Sequence, residues 1–142
     1  MVKRKGVRYW KKRAWVAFSK YIRTRDGGGR LTALCCTCGK LYPVFGVGCM
    51  QAGHYVAGRT NAILFEENGC HAQCYNCNIN LKGNTLNYRE FMDKKYGVAE
   101  RERIEALRFK HVKYSPTELE DIYYKFKDKS IELMAKQRGI KK

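Results

Sequence analysis

Long apolar segments are missing from this sequence, and acidic residues are scarce. No run approaches the roughly 18 apolar residues that a membrane-spanning helix needs, so we expect no membrane association. Only 13 Asp and Glu stand against 29 Lys and Arg in 142 residues, which gives a formal net charge of +16. A charge of this size indicates a polyanionic partner, and nucleic acid is the obvious one.

Secretory and low-complexity features are missing as well. The basic residues 1–5 are not followed by the apolar stretch of a signal peptide, and the chain holds only two prolines. Its seven cysteines are an odd number, which suits metal thiolates in a reducing cytoplasm better than a disulfide framework. The composition, with 44% hydrophobic residues, is that of one globular domain, which we expect in the cytoplasm.

The basic charge flanks the cysteines instead of mixing with them. Residues 1–30 carry eleven basic residues and one acidic residue, whereas residues 31–84 hold all the cysteines and are close to neutral. Residues 85–142 carry fifteen basic and ten acidic residues. The charge thus divides the chain into three parts. Together with the elements and the cysteine spacing described below, it predicts an α+β protein with a basic amphipathic N-terminal helix in 1–30, a small zinc-bound core in 31–84, and a helical region in 85–142.

Apolar residues at helical spacing predict a helix over residues 7–25, which the glycines at 27–29 end. One interpretation is a solvated helix that docks on the core through its aromatic side. The other adds DNA contacts along its basic side, because Lys and Arg neutralise phosphates. The basic residues predicted to contact DNA are Lys11, Lys12 and Arg13 on this helix, with Arg59 and Lys82 in the core.

Short elements are predicted between the two ends of the chain. The pattern favours strands over residues 41–45, 50–56 and 62–65, followed by a helix over residues 74–81. Further helices are expected up to Gly97, over residues 99–109, and from the capping box at residues 115–118 onward. This order puts His54 on a strand and Asn78 on the helix that follows.

Two cysteine pairs have the spacing of a zinc site. The four predicted ligands are Cys35, Cys38, Cys74 and Cys77. A site closed by four thiolates holds the fold and leaves zinc no open position for activating water. Cys36 leaves some doubt over which thiol of the first pair binds, and free buried cysteine is otherwise expected for Cys36, Cys49 and Cys70.

His54 lies between the two pairs, and Asn78 directly follows the second pair. Hydrolysis of a phosphodiester needs a general base for water, and histidine ionises near neutral pH. An amide oxygen is a type of ligand that Mg²⁺ accepts. Alone, His54 also fits a core or surface role, and Asn78 fits a residue that satisfies backbone groups. The position of His54 between the cysteine pairs favours catalysis, whereas the spacing alone leaves both roles open for Asn78.

This combination resembles the HNH, or ββα-metal, nucleases in the variant whose last histidine is asparagine. The layout is similar to the endonuclease VII family, and the wider pattern is closer still to the phage NinG/Rap recombination endonucleases. The segments that carry the resemblance are Gln51-Ala52-Gly53-His54-Tyr55, residues 68–78, Gly83-Asn84 and Tyr96-Gly97. It covers residues 34–125 and leaves out the basic first helix.

The resemblance implies a small zinc-bound ββα-metal core with flanking helices. It also implies that His54 activates water and that Asn78 helps bind a catalytic Mg²⁺ or Mn²⁺, beside the structural zinc. The substrate would be branched DNA or Holliday junctions in phage recombination, cut to 5′-phosphate and 3′-hydroxyl ends. The setting would be the cytoplasm of a bacterial host.

Two departures from that pattern leave positions open. Many relatives have an aspartate ligand directly before the histidine, where this chain has Gly53. Residues that could replace this ligand are Gln51, Glu66, Glu67 and His71. The middle asparagine of the pattern, which orients the histidine backbone, falls near Asn68 or Gly69.

Partners and rival functions follow from the same residues. We expect a symmetric homodimer that makes paired nicks, and a phage recombinase is a possible further partner. The aromatic residues Tyr123, Tyr124 and Phe126 would supply the dimer interface or complete the core. A non-catalytic zinc-ribbon DNA-binding protein that assists recombination is the main alternative, although it leaves the placement of His54 unexplained. An RNA-binding zinc protein with aromatic residues stacked on bases is another.

Overall fold

The computed structural model describes residues 3–137, and its architecture is α+β with two small antiparallel sheets. The helices are α1 (Val7–Gly27), α2 (Asn61–Leu64), α3 (Thr85–Tyr96), α4 (Val98–Ala106) and α5 (Pro116–Gln137). The strands are β1 (Thr32–Leu34), β2 (Leu41–Pro43), β3 (Gln51–His54) and β4 (Cys70–Gln73). Three shorter helical segments lie at Glu67–Gly69, Asn76–Asn80 and Leu107–Phe109.

Helix α1 is central to the packing, because it lies against both α5 and the β3–β4 sheet. Phe18 is fully buried and meets Phe126 of α5 edge to face, with ring centroids 4.8 Å apart. Burying one such ring stabilises the fold by roughly 1.5–3 kcal/mol. The helix ends at Gly27 and is capped by Gly28, whose φ of 56° allows its N–H to bond the carbonyl of Arg25. The basic N-terminal helix is therefore part of the core.

The β3–β4 sheet places the residues around His54 in register. His54 pairs with Cys70 and Gly53 pairs with His71, so these two pairs project from opposite faces of the sheet. Sheet β1–β2 pairs Leu34 with Leu41, at the start and end of the loop that carries the first cysteine pair.

The predicted strand over residues 62–65 is wrong, because this stretch begins as helix α2 (Asn61–Leu64). The Thr60 carbonyl accepts hydrogen bonds from the N–H groups of both Ile63 and Leu64, each at 2.9 Å. Both side chains are buried, which a helical turn permits and an alternating strand does not. The second strand beside His54 is instead β4, and the predicted helix over 74–81 shortens to the single turn Asn76–Asn80.

The helices after residue 84 follow the predicted pattern closely. Helix α3 ends at Tyr96, directly before Gly97, whose φ is 90°. The capping box at the start of α5 is formed by reciprocal bonds, in which Ser115 N–H donates to Glu118 at 3.0 Å and Glu118 N–H donates to Ser115 at 3.1 Å. No helix among the described residues is long and apolar enough to cross a membrane. Residues 1, 2 and 138–142 lie outside the described residues, and the division into three parts stays a prediction.

Candidate functional site

The two cysteine pairs meet in one cluster. Its members are Cys35, Cys38, Cys74 and Cys77, whose sulfur atoms all lie within 4.8 Å of one another. The Sγ atoms of Cys38 and Cys74 are 3.9 Å apart, close to the ~3.8 Å that tetrahedral zinc with Zn–S bonds of ~2.3 Å requires. The four thiols thus fit a metal such as zinc, as the spacing predicts, and Cys36 is not one of them.

Backbone N–H groups donate hydrogen bonds to sulfur atoms of this cluster, which favours the thiolate form that binds a metal cation. The N–H of Cys74 donates to Cys35 Sγ at 3.3 Å, and the N–H of Cys77 donates to Cys74 Sγ at 3.5 Å. Although burial opposes it, hydrogen bonds from Thr37 and nearby backbone lower the pKa of Cys35 to about 6. Burial and the neighbouring Cys35 raise the pKa of Cys38 to about 12. Ionising several adjacent thiols costs free energy because the thiolates repel one another. A bound divalent cation would remove this cost by neutralising their charge.

His54 lies at the end of β3 with its ring held on two sides. Its Nε2 is 3.1 Å from the carbonyl of Leu64, which makes Nε2 the protonated nitrogen and leaves the lone pair on Nδ1. The ring stacks on Trp15 of α1, with centroids 5.3 Å apart and planes 26° from parallel. Burial and the nearby Arg59 lower the pKa of His54. The ring is therefore neutral at neutral pH and able to accept a proton.

A cavity of about 430 Å³ brings four of the sequence-predicted residues together. They are His54, Arg59, Asn78 and Lys82, and Trp15 lines the same cavity. The Asn78 amide nitrogen donates to Gln51 at 2.7 Å, which turns its carbonyl oxygen away from that bond and leaves it available to a cation.

The two positively charged residues of this cavity, Arg59 and Lys82, have an unusual backbone conformation. Arg59 has a φ of 49° and Lys82 a φ of 50°, in the left-handed region that non-glycine residues seldom occupy. The Arg59 guanidinium lies 4.3 Å from the Trp15 ring, so arginine, tryptophan and His54 form a stack. Strained residues of this kind cluster at functional sites.

The predicted contacts on α1 divide between two sides of the helix. Lys11 and Lys12 precede Trp15 by four and three positions, so they share the side that reaches the cavity. Arg13 lies on another side, where its guanidinium bonds the Tyr123 hydroxyl at 3.1 Å and stacks over that ring. We therefore do not retain Arg13 as a contact beside His54. Of the α5 aromatics, Phe126 completes the core, while Tyr124 is 49% exposed.

The structure does not support His71 as a cation ligand. The side chain is 1% exposed, and both ring nitrogens are engaged. Tyr96 donates to Nε2 at 2.7 Å, while Nδ1 donates to the Tyr88 oxygen at 3.1 Å. The Tyr88 hydroxyl in turn donates to the Gly53 carbonyl at 2.6 Å. His71 thus belongs to a buried relay of hydrogen bonds, Tyr96–His71–Tyr88–Gly53, that holds the backbone directly before His54.

The acidic candidates also lie elsewhere. Glu66 pairs with Arg103 at 2.8 Å and Glu67 with Lys129 at 2.9 Å. Both line a separate cavity of about 840 Å³ that contains neither His54 nor Asn78. That cavity is larger, but no histidine among the described residues lines it, and it contains none of the four predicted residues that lie around His54. Neither glutamate therefore replaces the missing aspartate.

The middle asparagine of the expected pattern has a different role here. Asn68 donates to the Glu100 carboxylate on α4 at 2.7 Å. The carbonyl of Gly69 accepts the N–H of Tyr55 at 2.9 Å, so backbone pairing and Tyr88 position the strand that carries His54. Sequence reasoning missed the contacts that Tyr88 and Trp15 make around His54, because helical spacing alone does not reveal contacts with another element.

The relay predicts a pH-dependent stability. Burial, with a smaller effect of Arg25 and Lys95, lowers the pKa of His71 to about 2. The unfolded state therefore binds a proton that the folded state does not, and stability falls as the pH drops below ~6.5. Between pH 7 and 5.5 we expect a loss of about 1.3 kcal/mol from this group. In urea unfolding with excess zinc, the loss of stability between these pH values should be larger in the wild type than in His71→Gln by about this amount, because His54, whose pKa is also lowered, contributes to both. An equal pH dependence in both proteins would contradict this role.

Comparison with known proteins gives two matches. The family model described as bacteriophage lambda NinG protein matches residues 1–136. Protein ninG of Salmonella phage P22 is 34% identical over 107 residues, which cover 72% of this chain and 47% of that protein. The matched region therefore spans about half the length of that relative. No solved structure matches.

Proposed function

We propose that this chain, which belongs to the bacteriophage NinG family, is a metal-dependent endonuclease that cuts branched DNA in phage recombination. The observation that carries the proposal is the cavity shared by His54 and Asn78, with two cations at its border. The order of β3, β4 and the segment Asn76–Asn80 agrees with the ββα arrangement that the sequence resemblance implies.

In this proposal His54 is the general base. Its Nδ1 takes a proton from the attacking water, while Nε2 remains bonded to the Leu64 carbonyl, which stabilises the charged ring. The Asn78 carbonyl oxygen suits a hard cation, because Gln51 occupies only the amide nitrogen. Mg²⁺ or Mn²⁺, when bound, would stabilise charge on the phosphate and the leaving oxygen. A zinc ion coordinated by all four thiolates would hold Asn78 opposite β3.

The cations around the cavity suit the phosphate backbone. Arg59 and Lys82 border the cavity, and Lys11 and Lys12 continue the basic surface along α1. Such contacts explain affinity for any DNA. The preference for branches belongs to the proposal, as do a homodimer that makes paired nicks, a phage recombinase as partner, and action in the cytoplasm of the infected bacterium.

A cleavage assay tests this function. Zinc-loaded protein is incubated with labelled four-way junction, flap, linear duplex and single-stranded DNA, in Mg²⁺ or in EDTA. We expect cutting of the branched substrates in Mg²⁺ only. Binding to all substrates without cutting in Mg²⁺ or Mn²⁺ would favour the alternative, a non-catalytic zinc-ribbon protein that assists recombination. Equal cutting of linear duplex would contradict the branch preference alone.

The Trp15–His54 stack gives a second expected result. Trp15→Leu removes one wall of the His54 ring and the support of Arg59, so we expect single-turnover cleavage about 10- to 100-fold slower. Trp10→Leu is the matched control, because Trp10 lies on the same helix but packs against Tyr123. Equal loss of activity in both variants would mean that Trp15 acts only through the stability of α1.

A further inference from the structure

The side chain of Gln73 has an unpaired buried oxygen. Gln73 is 0% exposed, and its amide nitrogen donates to Thr37 Oγ1 at 3.1 Å and to the Gly83 carbonyl at 2.8 Å. These two acceptors fix which end of the amide is nitrogen. Within residues 3–137, the Oε1 atom has no hydrogen-bond partner. A buried polar atom left unpaired costs free energy, and the binding of an ion is one reason that such an atom persists in a folded protein.

This oxygen fills the space of a side chain at position 53. A Cβ added to Gly53 would collide with Gln73 Oε1, so this oxygen lies closer to the Cβ position than van der Waals contact allows. Gly53 is not among the glycines with positive φ, so its backbone conformation does not demand glycine. The close approach of Gln73 does. The amide oxygen thus lies within reach of the position that an aspartate side chain would occupy at residue 53, where the resemblance places a metal ligand.

The neighbours of Gln73 connect it to Asn78. Gln51 and Gln73 are cross-strand partners, so their side chains share one face of the β3–β4 sheet. Gln51 accepts the amide nitrogen of Asn78. Gly83, which accepts the amide nitrogen of Gln73, lines the His54 cavity together with Asn78. Asn78 thus lines the cavity, whereas Gln73 lies behind it, bonded to the lining residue Gly83 and with its amide oxygen against Gly53, the residue before His54.

We infer that Gln73 replaces the missing aspartate and is, with Asn78, a ligand of the divalent cation in the proposed nuclease site. The inference rests on the proposed function. Oxygen is the donor that Mg²⁺ and Mn²⁺ accept. Ligand charge tunes the affinity of a site for a cation. Because both amides are neutral, this site binds a free cation more weakly than a site that contains a carboxylate.

Mn²⁺ binding to the zinc-loaded protein, followed by electron paramagnetic resonance of free Mn²⁺, tests the assignment without DNA. We expect Gln73→Leu to bind Mn²⁺ at least about 10-fold more weakly. Gly53→Asp/Gln73→Ala, in which the shortened side chain at residue 73 makes room for the aspartate, should bind more tightly than Gln73→Leu and at least as tightly as the wild type. Zinc content and circular dichroism of each variant show whether the fold is retained.

The outcomes separate this inference from the function on which it rests. Unchanged Mn²⁺ affinity in folded Gln73→Leu would overturn it, as would a double variant no tighter than the single one. If wild type cuts DNA but binds Mn²⁺ independently of Gln73, only this inference fails. If wild type neither binds Mn²⁺ nor cuts, the proposed function fails as well.

Diffraction from wild-type crystals soaked in Mn²⁺ decides the case if the variants do not fold. An anomalous peak at coordination distance, about 2.0–2.6 Å, from Gln73 Oε1 and Asn78 Oδ1 would support the inference. A peak bound to Asn78 without Gln73 would overturn it.

Discussion

His54→Ala should lower the single-turnover rate of DNA cleavage by about 10²- to 10⁴-fold, because the variant loses the group that takes the proton from water. DNA affinity should change little, since the cations beside the cavity, Arg59 and Lys82, remain. The wild-type rate should also stay high at mildly acidic pH. Burial lowers the pKa of His54, so the neutral ring persists below the pH at which an ordinary histidine becomes protonated.

His111→Ala is the matched control for this result. His111 is exposed and does not line the His54 cavity, so its loss should leave both cleavage and binding as in the wild type. The measurement is the cleavage rate at saturating protein, with affinity measured separately in EDTA. If His54→Ala cuts as fast as wild type, His54 is not the base, even though the protein could still be a nuclease.

Cys77→Ser should remove zinc and destabilise the protein together. Serine does not replace a thiolate, and a structural zinc contributes its binding free energy to folding. We expect zinc content to fall from one per chain toward zero and the melting temperature to fall by on the order of 10 °C. Cleavage should be lost as well, because the cluster links the segment that carries Asn78 to the rest of the fold.

Cys49→Ser provides the comparison for the zinc ligand. Cys49 is half-buried and lies outside the four-cysteine cluster, so this variant should keep its zinc and nearly all its stability. Metal content by atomic absorption and thermal unfolding by circular dichroism measure both effects. Cys77→Ser protein that retains stoichiometric zinc and a wild-type melting temperature would contradict the four-thiolate site.

The candidate metal-binding and catalytic residues could be predicted from the sequence, because their spacing is specific. Two cysteine pairs predict one four-thiolate cluster, and the sulfur atoms do converge. His54 and Asn78 were chosen from their positions relative to those pairs, and they line one cavity. Their catalytic roles stay predictions. The long helices were also predictable, since apolar spacing and the capping box at Ser115 are local signals.

The elements that the sequence did not reveal depend on tertiary contacts. All four residues of β4 (Cys70–Gln73) are buried, so the alternation that marks a half-exposed strand is absent. His71 has the chemistry of a ligand, but only the fold shows that Tyr88 and Tyr96 engage both nitrogens. The position of Gln73 beside Gly53 likewise arises from cross-strand packing that no local pattern encodes.

The most direct test of the central claim is the chemistry of the cut ends. Wild-type protein with a 5′-labelled four-way junction in Mg²⁺ should produce nicks with 5′-phosphate and 3′-hydroxyl ends, and His54→Ala should bind the same junction without cutting it. Binding by wild type with no Mg²⁺- or Mn²⁺-dependent nick would contradict the account.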